Sequence, residues 1–368
     1  MKINVIGGGI AGAVISRLLA EQGHSITLIE KKGKIGGLCR DEFVKGVLTH
    51  IHGPHFFHTN NKKVFDWLSK FTPEGWINKK YIVKSNIRGK LYDFPINRNT
   101  INDFFDINLT TEKETQKFLD ILNKKWNNKS PKNSEESILK KCGRQLYETF
   151  FKNYTLKMWD REPKDLDVSI CDRIPVRTNI NNVFHNDKYQ GVPKLGFTAM
   201  INNLVKHENI SIKLNNKYDE IYFPADLVIC TTPIDEFFDY EHGQLPYRSL
   251  KFDIYVYPFP YKQSSAQINY PGKETYTRDT ESKFITGQES PFTTVVRETP
   301  CYDNDNPMYP VINKESMIIL NKYKLMAEKV KDKVRFVSRL GSFSYINMDK
   351  VIEDCFELVK ELNKEEMI

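Results

Sequence analysis

A glycine-rich turn between two apolar strands constrains this chain more than any other stretch. Lys2-Ile3-Asn4-Val5-Ile6 reads as a buried parallel strand, and Gly7-Gly8-Gly9-Ile10-Ala11-Gly12 follows it. A helical run from Ala13 to Gln22 comes next, then a turn at Gly23-His24 and a second apolar strand, Ser25 to Ile29, closed by Glu30. Gly7 lets the chain turn sharply out of the strand, Gly9 leaves room for a pyrophosphate, and Gly12 lets the helix pack closely on the sheet. The helix start, at Ile10 and Ala11, aims unpaired N–H groups at that anion. Glu30, followed by Lys31, stands where a ribose hydroxyl would lie, near the expected spacing of ~20 residues. A lone glycine fingerprint is weak, because glycine turns occur in unrelated α/β proteins. Here the strand, the helix and the closing acid are all present, and together they predict an ADP-containing dinucleotide.

A second glycine pair, Gly36-Gly37, precedes Leu38. That trailing pair resembles FAD-binding proteins of the glutathione-reductase type more than NAD dehydrogenases, so FAD is the expected cofactor. At 368 residues a single core is stretched, and two or three subdomains are expected. No apolar run approaches the ~18 residues of a membrane span, and no signal-peptide pattern opens the chain. A cytoplasmic protein without membrane insertion is expected. The six cysteines are scattered with no CxxC, which suggests free thiols and neither a zinc site nor a redox pair. The net charge of +7 is spread along amphipathic stretches. A nucleic-acid binder would concentrate it in a stripe, so no nucleic-acid partner is expected.

Four of the eight histidines lie in one short segment, at positions 50, 52, 55 and 58. Metal binding, ordinary packing and contact with cofactor or substrate compete as readings. No nearby Asp, Glu or Cys completes a ligand set, and Gly53-Pro54 indicates a turn, so metal is the weakest of the three. Asn61 to Phe71 reads as a short helix, and Tyr81 to Phe94 as a hairpin turning at Ile87 to Lys90. Glu112 to Trp126 and Glu135 to Tyr154 show helical spacing and form an inserted helical module. Phe150-Phe151-Lys152-Asn153-Tyr154-Thr155-Leu156-Lys157-Met158-Trp159 is either a core cluster or a stacking platform for a planar base. The stretch from Asp172 to Pro193 has little regular pattern and is a mobile-loop candidate. Arg173 within it suits a phosphate clamp or an ordinary surface position. A helix from Leu195, strands near 210–214 and 218–223, and a buried strand at 225–230 return the chain to the cofactor domain. Residues 250–312 alternate as an antiparallel sheet. A helix over 315–330, a strand at 334–337 and a last helix from Asp349 complete the chain.

Several separated segments together resemble one family, the UDP-galactopyranose mutases. They are Gly-Pro-His-Phe-Phe-His-Thr-Asn at 53–60, the aromatic run at 150–159, Arg-Ile-Pro-Val-Arg at 173–177 and Asp-Lys-Tyr-Gln-Gly-Val-Pro at 187–193. Asn269-Tyr270, Tyr276-Thr277-Arg278, Met308 to Val311 and Arg339 to Asp349 follow in the same order. The resemblance spans nearly the whole length. It implies an α/β fold with a discontinuous FAD-binding Rossmann-like domain, an inserted helical domain and an antiparallel sheet domain. The expected division is 1–79, 190–239 and 318–368 for the FAD-binding domain and 100–158 for the helical domain. Residues 80–99, 159–189 and 240–317 would form the sheet domain with its substrate loop.

The implied reaction converts a UDP-hexopyranose, foremost UDP-galactopyranose, into its furanose form without net oxidation. The flavin must be reduced, by an external reductant, and its N5 acts as nucleophile at the anomeric carbon. The product would serve as a furanose donor for cell-surface polysaccharide, and a homodimer would be usual for bacterial relatives. By the same resemblance Arg173 and Arg278 grip the diphosphate, and Tyr309 and Tyr345 donate to it. Phe150, Phe151, Tyr154, Thr155, Trp159 and Asn269 match the uridine side. His55 and His58 match residues beside flavin and sugar and are expected to be catalytic together with Arg173 and Arg278, and Arg339, Asn347 and Met348 lie by the flavin. The chain departs from the pattern at Asn347, where Asp is usual, at Met158, where Gln is usual, and at His52, where Tyr is usual. Another sugar nucleotide is therefore an open alternative: UDP-N-acetylgalactosamine, UDP-arabinopyranose or a TDP-6-deoxy sugar. A flavin amine oxidase-type activity is the alternative from another reaction class.

Overall fold

The structure, a computed structural model, describes residues 1–219, 221 and 223–365. The opening strand–turn–helix–strand unit forms as the glycine pattern predicts. Strand Lys2–Ile6 pairs in parallel with Ser25–Glu30 on one side and Leu227–Cys230 on the other. Ile210–Leu214 and Val334–Phe336 extend this to a five-stranded, wholly parallel sheet. Its central strands are apolar on both faces because helices cover them. Helix Ile10–Ala20 packs against Met348–Lys364 and Gly196–Val205. Val5, Val14, Ile15, Leu19, Leu28 and Ile352 close the core between these layers. The cofactor-type sheet is thus assembled from segments more than 300 residues apart in the chain.

A seven-stranded sheet runs in the order 309–310, 247–257, 293–301, 278–281, 267–269, 83–87, 90–94. All its pairings are antiparallel except one: Gln267–Asn269 runs parallel to Val83–Ile87. That junction docks the early hairpin onto the later meander. The hairpin turns through Arg88 and Gly89, both with positive φ (53° and 90°), as a tight right-twisted turn demands. A three-stranded sheet, 57–59, 189–193 and 76–77, joins the histidine segment to the end of the irregular stretch.

The helical module packs against the seven-stranded sheet, through strands 83–87 and 293–301. Helix Glu112–Leu122 starts on a reciprocal cap between Thr111 and Glu114, and Ser134–Leu146 starts on Asn133. Gly143 breaks the second helix with φ 75° and ψ 176°; a Cβ there would sit 2.6 Å from the Leu122 carbonyl oxygen. A π-type turn, Tyr147–Lys152, then leads into helix Asn153–Trp159. The helix expected to run unbroken to Tyr154 is therefore divided, because only glycine admits this close approach of the two helices.

The expected helix and strand boundaries otherwise shift by a few residues. The strand expected over 218–223 is a correction: its described positions are turn and irregular backbone, and residues 220 and 222 lie outside the described residues. Among the described residues no helix is long and apolar enough to cross a membrane.

Candidate active site

The glycine turn supplies the first wall. Gly9 precedes helix Ile10–Ala20 with no side-chain cap, so the first helical N–H groups, from Ile10 and Ala11 onward, keep their free end of the dipole. Gly37, at φ 53°, faces Gly9 so closely that a Cβ on Gly37 would lie 2.9 Å from the Gly9 Cα. Glu30 uses one carboxylate oxygen to accept from Gly8 N (2.7 Å) and the other from Lys32 N (2.8 Å), fixing the turn from behind. Lys31 stands half-exposed near Glu236 at 3.7 Å. A cradle that two glycines keep narrow, at a bare helix start, fits a dinucleotide pyrophosphate.

The second wall is a cluster of cations and aromatic rings. Arg278 and Glu298 face each other in register across two antiparallel strands, and Arg278 Nε donates to Glu298 Oε2 at 2.6 Å. Glu298 is buried; burial raises its pKa while Arg278 draws it back. Burial works against the charge of Arg278 too, but Glu298 and the hydroxyls of Tyr154, Tyr309 and Tyr81 hold its pKa well above the usual value. Tyr154 is pushed up to about 12 by burial, with Arg278 opposing. Arg173 lies 4.3 Å above the Tyr345 ring and donates to its hydroxyl. Trp159 meets Tyr345 edge-on at 5.3 Å and Tyr309 at 6.3 Å. Arg339 reaches over Tyr309 at 5.2 Å and anchors on the Ile346 carbonyl at 2.7 Å.

Two features join the walls. Arg339, which reaches over Tyr309, lies near enough to act electrostatically on Cys39, just past Gly37, and on His55. Gly53, before His55, backs so closely on Glu298 that a Cβ there would sit 2.6 Å from Oε1. The glycine cradle, the histidine segment and the guanidinium cluster therefore form one site.

His55 is held by its own segment: its Nδ1 is 3.1 Å from the Gly53 carbonyl and its N–H donates to His50 Nδ1. Burial, reinforced by His50, lowers the His55 pKa to about 3. Asn269 pairs in register with Arg278 and accepts from Gln267 Nε2 at 2.6 Å; Gln267 in turn accepts from Tyr81 at 2.5 Å. Thr155 is buried with its hydroxyl 3.8 Å from Cys171 Sγ. Asn347 caps the last helix without a side-chain hydrogen bond, and Leu38 packs against the core. Phe150 and Phe151 are not brought into the cation cluster. Phe150 packs on Tyr92 and Phe104, and Phe151 on Phe94, so they support the helix that carries Tyr154 and Trp159.

The sequence reading missed four residues. Glu298 is invisible until strand register pairs it with Arg278, and Tyr81 until its hydroxyl meets Gln267, two residues before Asn269. Contrary to the expectation from sequence, an acid does stand near the histidines. Asp187, distant in sequence, accepts from His58 Nδ1 at 2.8 Å, because strands 57–59 and 189–193 pair. His185 stacks on His58, ring centroids 3.7 Å apart and planes 19° apart. His58, His185 and Asp187 bring potential metal-ligand atoms within 4.8 Å of one another. A shared cation would have to sit near the plane of both imidazoles, which stacked rings do not allow. Both carboxylate oxygens of Asp187 are already engaged, by His58 and by Asn60 Nδ2 at 2.8 Å. The trio reads as a hydrogen-bonded stack, not a metal centre.

Comparison with known proteins identifies the family. Residues 149–345 match the family model for UDP-galactopyranose mutase, and residues 5–71 match the model for an NAD(P)-binding Rossmann-like domain. The chain is 36% identical to a probable UDP-galactopyranose mutase of Klebsiella pneumoniae, over 100% of this chain and 97% of that one. It is 34% identical to a dTDP-fucopyranose mutase of Escherichia coli, over 99% of this chain and 100% of that one. Its fold matches the crystal structure of a reduced UDP-galactopyranose mutase with a TM-score of 0.79, at 16% identity, covering 99% and 94% of the two chains. A putrescine oxidase shares the scaffold at a TM-score of 0.61 and 12% identity. With over half its length matched by one family model and close relatives aligned end to end, the chain belongs to the UDP-galactopyranose mutase family.

Proposed function

We propose that this sugar-nucleotide pyranose–furanose mutase acts on UDP-galactopyranose with a reduced FAD. The observation that carries the reading is the convergence of Arg173, Arg278, Tyr154, Tyr309 and Tyr345 into one cluster. Two guanidiniums and three hydroxyls suit a nucleoside diphosphate, which accepts hydrogen bonds and leaves with its charge.

Gly7, Gly9, Gly12, Glu30 and Gly36-Gly37 would hold the dinucleotide end of the FAD, with Arg339, His55 and the start of the last helix near its ring. When bound and reduced, the flavin supplies the nucleophile toward the anomeric carbon. The protein's own part is electrostatic and geometric. Arg278 is charged and held by Glu298, so it needs little reorganisation to receive a phosphate. Arg173, stacked on Tyr345, reaches the same anion from the irregular segment. Trp159 edges Tyr309 and Tyr345 and limits how far their hydroxyls swing. Tyr154 offers its ring to the base.

A second substrate has specific support: the dTDP-fucopyranose mutase is almost as similar as the galactose enzyme, 34% against 36%. Purified protein incubated with dithionite and either UDP-galactopyranose or dTDP-fucopyranose, with products separated, tests both. Furanose formed from one donor, and only under reducing conditions, supports the proposal. Substrate-dependent flavin reduction without isomerisation would overturn it in favour of an amine oxidase-type activity.

A further inference from the structure

We propose that His185 is a specificity-determining residue that hydrogen-bonds one hydroxyl of the sugar. The inference rests on the mutase reading and goes beyond it by naming the contact that selects the carbohydrate.

His185 sits in a pile of rings. Phe56 and Tyr81 lie nearly parallel to it at 5.9 Å each, and His58 stacks on it at 3.7 Å. The pile fixes the plane of the imidazole and so the directions of its two nitrogens. Neither nitrogen has a hydrogen-bond partner among the described residues, whereas His58 is tied to Asp187 and His55 to Gly53. The residue is partly exposed, and neither nitrogen is among the buried side-chain polar atoms left without a partner, so both are open to solvent or to a ligand.

The charges around it define its chemistry. Burial lowers its pKa furthest, and His58, Arg173 and Arg177 lower it again. Arg177 is fixed by the carbonyls of Asn181, Val183 and Phe184, so its charge does not move away. Asp187 is engaged by His58 and Asn60 and does not pair with His185. His185 is therefore a neutral imidazole, with one donor and one acceptor. A diphosphate only accepts, and Arg173 already serves it. A hydroxyl both donates and accepts, so it can pair with whichever edge nitrogen it meets, the protonated or the bare one. The position agrees, because His185 lies between Arg173, on the phosphate side, and His58, in the segment that carries His55.

The experiment compares wild type with His185→Phe, which keeps the stack and loses both nitrogens, and His185→Asn, which keeps a donor and an acceptor. Dissociation constants and, where turnover occurs, kcat/KM are measured for the preferred nucleotide hexose and for analogues deoxygenated at each ring or exocyclic hydroxyl. The expected result is a loss of about tenfold in His185→Phe on the parent sugar, the order of one neutral hydrogen bond. One deoxy analogue shows no such loss, and His185→Asn recovers part of the parent's affinity. An equal loss on every sugar, or no loss on the parent, overturns the proposal while wild-type turnover leaves the mutase reading standing. Wild type that isomerises neither UDP- nor dTDP-hexopyranoses overturns both.

Discussion

Glu298 sets how Arg278 meets its ligand. The carboxylate is buried and its partner is about a quarter exposed, so the pair is only partly shielded from water. Replacing Glu298 by Gln keeps the shape and removes the countercharge. The ligand-free protein should lose about 2 kcal/mol, less than the ~3–5 kcal/mol of a fully buried pair broken on one side. The orphaned guanidinium should then gain more from an anion, so the rise in melting temperature on adding UDP should be larger in Glu298→Gln than in wild type. Paired thermal melts with and without UDP check this, and equal rises would contradict it. The histidine segment gives a second prediction at this scale. Burial lowers the pKa of His50 and His52 to about 4 and of His55 to about 3, from an ordinary value of 6.5. These rings stay neutral when folded, while the unfolded chain takes up protons below about pH 6.5. Their contribution is whole above that value and drains as pH falls toward 4 and then 3. The melting temperature should be flat from pH 8 to 6.5 and fall steeply below; a flat profile down to pH 4.5 would contradict the account.

At the scale of elements, the helix Asn153–Trp159 is held by a lysine as well as by its core face. Lys157 Nζ donates to the carbonyls of Tyr270, Glu274 and Tyr276, at 2.5, 2.8 and 3.0 Å. It thus pins the loop leading to Arg278 against the helix bearing Tyr154. Arg248 grips the same helix from behind through the carbonyls of Met158 and Lys157. Lys157→Met keeps the length and loses three hydrogen bonds. The sugar-nucleotide KM should rise about tenfold with the flavin still bound, which steady-state kinetics and the flavin spectrum check together. This pinning also shows what the sequence could and could not disclose. The turn at residues 7–12 and the closing Glu30 are local, because adjacent glycines and periodic apolar residues carry their own geometry, and they were legible. So were the longer helices and the main strands, since each buries a face at its own period, whereas the short strands 41–44, 47–50, 57–59 and 189–193 carry too little pattern to be read. Arg278 could be named from its motif, but its partner Glu298 depends on cross-strand register. Asp187 meets His58 only because two short strands pair far apart in the chain. The division of the helix at Gly143 depends on the Leu122 carbonyl it must avoid, and no periodicity contains that.

For the whole molecule, the site lies where two sheets built on different rules meet. The parallel sheet presents a helix start and the narrow glycine cradle, which suit the dinucleotide. The larger sheet presents Arg278 and Tyr309, and the irregular segment adds Arg173, which suit the diphosphate. Arg339, just past the parallel sheet, reaches over Tyr309 of the larger one, but the residues that would hold the two ligands are otherwise drawn from different segments. Damage to each half should therefore separate in solution. Gly37→Ala puts a Cβ against Gly9 and strains a positive φ of 53°, so it should give protein with little or no yellow colour. Arg173→Ala should keep the flavin spectrum, stay folded by circular dichroism, and lose about a hundredfold or more in kcat/KM under dithionite, the order of one transition-state donor removed. Arg278→Ala should behave likewise, with added instability from the unpaired Glu298. The check is the absorbance ratio of flavin to protein beside the furanose yield for each variant. Colourless Arg173→Ala protein, or yellow and fully bound Gly37→Ala protein, would show that cofactor and leaving group share a single set of contacts and that the two-wall description of the site is wrong.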